Sequence, residues 1–97
     1  MNDYILFMHA DAPRAPDAAS WSPYFEGLRA SGRFDGGSSI GGGTCVSKTG
    51  TPPPISAQLG GYIRVRAESL EDARRFLAGN PVYEAGGTIE IRELPRD

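Results

Sequence analysis

The stretch Gln58–Pro81, QLGGYIRVRAESLEDARRFLAGNP, constrains the fold more than any other part of the chain. Leu59, Gly61, Ile63 and Val65 alternate with Gly60, Tyr62, Arg64 and Arg66, the period of a strand with one apolar face. Ser69 then stands three residues before Asp72, close to a capping box, and Glu71 adds negative charge where the helix dipole favours it. Leu70, Ala73, Phe76 and Leu77 make the expected inward stripe of this helix, while Arg74 and Arg75 lie outward near its C-terminal end. Gly79 is the expected stop, and Pro81 prevents continuation.

The flanking segments supply the other elements. DYILFMH, from Asp3 to His9, is a short apolar run whose Tyr, Ile and Phe favour a buried strand, and the Pro13 and Pro16 stretch after it is a loop. Ser20 is the expected cap of a first helix with Pro23 in its first turn. Trp21, Tyr24, Phe25 and Leu28 then share one apolar face, and Gly32 ends a helix of about Trp21 to Ser31. The segment Arg33 to Ala57 is rich in Gly, Ser and Pro; its expected strand lies around Ser39 to Ser47, before a loop through Pro52, Pro53 and Pro54. GGTIEIREL alternates Ile89 and Ile91 against Thr88, Glu90 and Arg92, which predicts a last strand.

Strand, helix, strand, strand, helix, strand is the order of a ferredoxin-like α+β sandwich, with an antiparallel sheet in spatial order 4-1-3-2. Its helices cover one face of the sheet, so the other face needs a cover, and a second copy of the chain would supply it as a homodimer.

At 97 residues, one domain spanning 1–97 is expected. A net charge of -2 with a single lysine, Lys48, provides no basic field, which argues against nucleic acid as a partner. A single cysteine, Cys45, excludes an intramolecular disulfide and any multi-cysteine metal site. No apolar run approaches a membrane span, and MNDYILFMHAD is unlike a secretory signal, so the expected location is the cytoplasm, with no membrane partner.

QLGGYIRVRAESLEDARRFLAGNPVYEAGGTIEIREL resembles the YCII-related superfamily, specifically its DGPF-like branch, in the QLGGY strand, the following helix, the proline turn and the G-x-I-E-I-R strand. YILFMHAD resembles the opening strand of that family. The resemblance implies a dimeric α+β barrel, two ferredoxin-like subunits with their sheets face to face. It also implies neighbours in function that include dehydrochlorinases of small chlorinated aromatic compounds, muconolactone isomerases and small monooxygenases. The namesake DGPFAETKE segment is replaced here by TGTPPPISA, Thr49 to Ala57. The resemblance also implies a catalytic His at the start of helix one and an Asp before the proline after helix two. Aligned through Gly32 and Arg33, those positions hold Trp21 and Asn80, neither of which transfers a proton at neutral pH, so that dyad is not carried over.

Topology still selects one end of the molecule. In a 4-1-3-2 sheet His9, Asp11, Trp21, Gln58, Asn80, Tyr83, Glu84 and the Gly86-Gly87 pair should converge where strand one ends. An aromatic ring, an imidazole and amides suit a small-molecule site, although element ends gather polar residues in any fold. His9 is the one side chain whose ordinary pKa suits a proton shuttle, and Asp11 or Glu84 would orient it. The plain alternative is a strand-end histidine bonded to a carbonyl. In the barrel, Arg64, Arg66 and Arg92 would share an inward face with Tyr62 and Glu90 and could hold an anion; pairing of Arg64 and Arg92 with Glu90 and Glu93 across strands is the preferred account of them.

GSSIG, Gly37 to Gly41, matches the nucleophile elbow only in letters, since no helix follows Gly41, and GGGTCVSKTG lacks the Gly-Lys-Ser/Thr that opens a phosphate-binding helix. Cys45 reads as a half-buried strand residue, one histidine with scattered carboxylates makes no metal site, and no cofactor is called for. Two readings of function lead, ahead of a third, a purely structural interaction protein, which would need a large exposed apolar patch beyond the dimer interface. One is lyase or isomerase acid–base chemistry on a small ligand with His9 and Asp11 catalytic and Trp21, Gln58, Asn80, Tyr83 and Glu84 binding. The other is a non-catalytic ligand-binding or regulatory module without the family pair.

Overall fold

Strand β1, Asn2–His9, buries Tyr4, Leu6 and Met8 and leaves Ile5, Phe7 and His9 half-buried on its opposite face, the alternation that its sequence predicts. The structure, a computed structural model, describes residues 1–96. Helix α1 spans Trp21–Ala30, β2 Phe34–Ser39, β3 Leu59–Ala67, α2 Leu70–Ala73, α3 Pro81–Glu84 and β4 Ile89–Leu94. The four strands form one antiparallel sheet in the order β2-β3-β1-β4, the ferredoxin-like arrangement. Leu6 stands opposite Ile63 on β3 and Ile91 on β4, and this row continues through Tyr4 and Val65. Against it pack Tyr24 and Leu28 of α1 with Ala73 and Phe76 of the second helical segment. The Tyr24 hydroxyl donates to the Phe76 carbonyl at 2.7 Å, so the two helical segments are joined by a buried hydrogen bond as well as by contact. Burial of this phenol raises its pKa.

Several local expectations are corrected. Ser20 does not cap α1; its hydroxyl donates to Asp17 at 2.9 Å, and Asp17 accepts Ala19 N–H at 3.1 Å. The cap moves upstream because a 3₁₀ turn, Ala18–Ser20, already leads into the helix. Ser69 does cap α2, accepting Asp72 N–H at 3.0 Å, while the Asp72 carboxylate accepts Glu68 N–H at 2.9 Å. The helix keeps α geometry for one turn and then tightens into a 3₁₀ turn, Arg74–Leu77. Leu70 is 53% exposed rather than inward, since the first residue after the cap precedes the turn that reaches the sheet. Gly32 and Gly79, at φ +73° and +83°, end the two helical segments as expected.

The middle strand runs over Phe34–Ser39, not Ser39 to Ser47. Phe34 pairs with Val65 and sets its ring 5.6 Å from that of Phe25, an apolar anchor that the Gly-rich run lacks. Past Ser39 one backbone bond, Ile40 N–H to Gly60 carbonyl, extends the pairing before the chain leaves the sheet. Pro81 ends the second helical segment and also opens α3 at its first position, with Asn80 as cap. None of the helices is long and apolar enough to cross a membrane among the described residues.

Candidate functional site

The end of the sheet where β1 stops is loosely filled, because irregular chain rather than a helix covers it. A cavity of about 850 Å³ opens there between the ends of β1, β2 and β3, the loop Ala12–Pro16 and the start of α1. Its aromatic wall is Trp21 and Phe25, stacked with ring centroids 5.6 Å apart and planes 20° from parallel. Met8 and Val82 add apolar surface, and His9, Arg14, Tyr62, Ser38 and Ser39 provide the polar groups. The Trp21–Phe25 pair follows from the helical spacing of α1.

His9 has a carboxylate partner, though not Asp11 or Glu84. Its Nε2 lies 2.9 Å from Glu90 Oε1. The register explains the pairing: Phe7 stands opposite Glu90 on β4, and His9, two residues on, shares the same face, so Glu90 is its diagonal neighbour. A hydrogen bond from His9 holds the Glu90 carboxyl below its usual range, with Arg92 Nη1 at 3.1 Å from Oε2 adding to the effect. An ionised carboxylate only accepts, so Nε2 carries the shared proton and neutral His9 has its lone pair on Nδ1. Nδ1 has no hydrogen-bond partner among the described residues.

Asp11 instead clamps the turn before β4, accepting Thr88 N–H at 2.9 Å and Thr88 Oγ1–H at 2.7 Å. The Thr88 N–H, and then its hydroxyl, hold the Asp11 carboxyl below its usual range. The Glu84 carboxylate accepts Gly79 N–H at 2.9 Å, and Tyr83 is 45% exposed outside the cavity lining. Gln58 lies exposed beyond the lining and contributes its carbonyl to Ala10 N–H.

Asn80 is fully buried. Its Oδ1 accepts Val82 N–H at 3.0 Å and Tyr83 N–H at 3.1 Å, while its Nδ2 sits 3.6 Å from Met8 Sδ. It holds the α3 start, with its side chain out of solvent. The Gly86-Gly87 pair serves the rim: a Cβ at Gly87 would lie 2.6 Å from Val82 Cγ1, and one at Gly86 3.1 Å from Pro13. Their lack of side chains lets Ala12 and Pro13 seat on this turn.

Of the residues expected at this end, His9 and Trp21 line the cavity, and Asp11, Asn80, Glu84 and the glycines build the surroundings. Arg14, Phe25, Tyr62 and Glu90 complete the site. The shared strand face of His9 and Glu90 was available in their alternation; no local signal placed Arg14. Of the expected strand-face pairs, Arg92 does meet Glu90 at 3.1 Å, whereas Arg64 donates to the Asp35 carbonyl at 2.7 Å; Arg66 donates to the Asp35 carboxylate at 3.0 Å, and both brace β2. Among the described residues no three His, Cys, Asp or Glu side chains gather as metal ligands.

Residues 5–96 match the YCII-related domain. No curated protein matches the chain. Among solved structures, a 5-chloro-2-hydroxyhydroquinone dehydrochlorinase from Burkholderia phenoliruptrix AC1100, in complex with 2,5-dihydroxybenzoquinone, superposes with a TM-score of 0.56 at 17% sequence identity. The match covers 98% of this chain and 95% of that one, and at this identity it demonstrates a common fold.

Proposed function

This chain belongs to the YCII-related family, and from that premise we propose that it performs acid–base chemistry of the lyase or isomerase type on a small ring compound. The observation that carries this reading is the 2.9 Å contact between His9 and Glu90 at a cavity lined by His9. Glu90 fixes the ring and its tautomer, and Nδ1 takes a proton from the bound ligand or returns one. Trp21 and Phe25 supply a flat wall for a ring, and Tyr62 is a further residue of the same lining. The dehydrochlorinase that shares this fold acts on a hydroxylated aromatic ring, which supports rings of that kind as first substrates to try.

The test is turnover of chlorinated hydroxyhydroquinones, followed as chloride release. His9→Asn should lower the rate about 10²- to 10⁴-fold, the range for a lost general acid or base, and Glu90→Gln should lower it less. Chloride release by His9→Asn at the wild-type rate would refute the assignment. Binding without turnover by the wild-type protein would favour the second reading, a non-catalytic ligand-binding module. Trp21 and Asn80, where the family pattern has His and Asp, are the observation on its side.

The uncovered sheet face supports a homodimer. Ile5, Phe7 and Tyr62 lie there half-buried with no helix above them. Sedimentation should give twice the chain mass, and Phe7→Glu should shift it toward one chain; a wild-type monomer at all concentrations would exclude the dimer.

A further inference from the structure

The charges around the cavity are distributed unevenly. The chain as a whole carries -2, yet the lining contains Arg14 and His9 and no Asp or Glu. The two cationic groups are not equivalent. His9 shares its proton with Glu90, so any positive charge there is balanced locally. Arg14 has no carboxylate within ion-pair distance among the described residues, whereas Arg33, Arg66, Arg74, Arg75, Arg92 and Arg96 each have one; Arg29 and Arg64 share that lack but do not line the cavity.

Arg14 is also held in place. Its Nη2 donates to the Glu84 carbonyl at the end of α3 at 2.8 Å. The preceding Pro13 packs against Gly86, and Pro16 closes the loop two residues later. One edge of the guanidinium is thereby anchored, and Arg14 lies between this cavity and a smaller one lined also by Asp17 and Glu84. A planar fork of this kind recognises a delocalised oxyanion through paired hydrogen bonds. The nearest acidic side chain of that segment, Glu84, is turned to Gly79 N–H and does not neutralise it.

We infer that the ligand of this cavity is a small aromatic anion, a ring bearing a carboxylate or a phenolate, and that Arg14 is the residue that selects for the charge. The inference rests on the ring-binding site proposed above and names its ligand class. The ring lies along Trp21 and Phe25, the oxyanion meets Arg14, and His9 reaches the ring from the strand end. Because Arg14 is exposed, water screens the pair, and charge recognition adds selectivity rather than most of the affinity.

The probes are 2,5-dihydroxybenzoate and its uncharged amide, which differ in charge at nearly constant shape. Trp21 is the single tryptophan, so its indole N–H resonance reports binding at this cavity alone. The acid should bind about tenfold more tightly than the amide, the ratio expected of a screened charge-assisted pair. Arg14→Gln should bring the two affinities together, Arg14→Lys should restore part of the preference, and Arg74→Gln, on the far surface, should leave it intact. Equal binding of acid and amide by the wild-type protein would overturn the inference, as would a preference that survives in Arg14→Gln or no response of Trp21 to either compound. The acid–base reading fails on a different readout, chloride release in His9→Asn, so either can fall without the other.

Discussion

The two ends of the sheet are built on opposite principles. Where β1 begins, charges meet charges: Asp3 accepts from Arg96 at 2.7 Å, Asp35 from Arg66 at 3.0 Å, and Asp72 from Arg33 at 3.1 Å. Where β1 ends, glycines, prolines and aromatic rings surround a cavity of about 850 Å³ lined also by Arg14, which has no carboxylate partner among the described residues. Among the described residues, the charged groups of the first end pair with one another. At the second, backbone fits closely around the rim while polar groups stay available. Ion pairs at the surface stabilise little, so the paired end is organised more by geometry than by energy. The cavity end depends on close backbone approach, which a single added carbon disrupts.

A substitution at the cavity end should therefore break the fold more than one at the paired end. Gly37 lies opposite Ile63 on β3, and a Cβ there would overlap the Tyr62 carbonyl oxygen. Gly37→Val should cost about 2–3 kcal/mol in denaturant unfolding, the usual price of overpacking a closely fitted site, and should narrow the cavity. A loss below about 0.5 kcal/mol, the range of ordinary surface changes, would mean that β2 slides away from β3 freely.

The paired end yields a smaller effect that depends on pH. The hydrogen bond from Arg96 holds the Asp3 carboxyl below its usual range, and the Glu68 N–H does the same for Asp72. Carboxyls that titrate lower in the folded chain than in the unfolded one stabilise it above the unfolded pKa of about 4. That contribution disappears as pH falls through the depressed folded values. Asp3→Asn should therefore lower the thermal midpoint slightly at pH 7, more at low salt, and the difference from wild type should vanish at the most acid pH. A difference that grew on acidification would contradict the arrangement at this end.

The contrast also explains how much of the molecule was legible beforehand. The strand–helix unit from Leu59 to Leu77, the sheet order and the open face follow from alternation, capping and connection rules, all carried by residues close together in the chain. The chain end that gathers His9 and Trp21 was legible for the same reason, since topology places it. Local chemistry failed where two signals competed. The Gly-rich run after Ser39 has strand-like letters but no apolar anchor, and Phe34 claims the strand instead. Asn80 was expected at an element end as a binding group; it caps a short helix that was not expected from the sequence.

By itself, then, the sequence determined which residues form strands and helices over most of the chain and which side of each strand is apolar, because those follow from period and from neighbours within a turn. Only the tertiary structure decided that His9 meets Glu90 rather than Asp11, that Asp11 belongs to Thr88, and that Arg14 lines the cavity with no carboxylate partner among the described residues. Alternation tells which face a side chain takes but not which residue of another strand lies beside it; that depends on register. Arg14 sits in irregular chain with no period at all, and its place is set by packing of Pro13 on Gly86 and by one bond to a carbonyl seventy residues away.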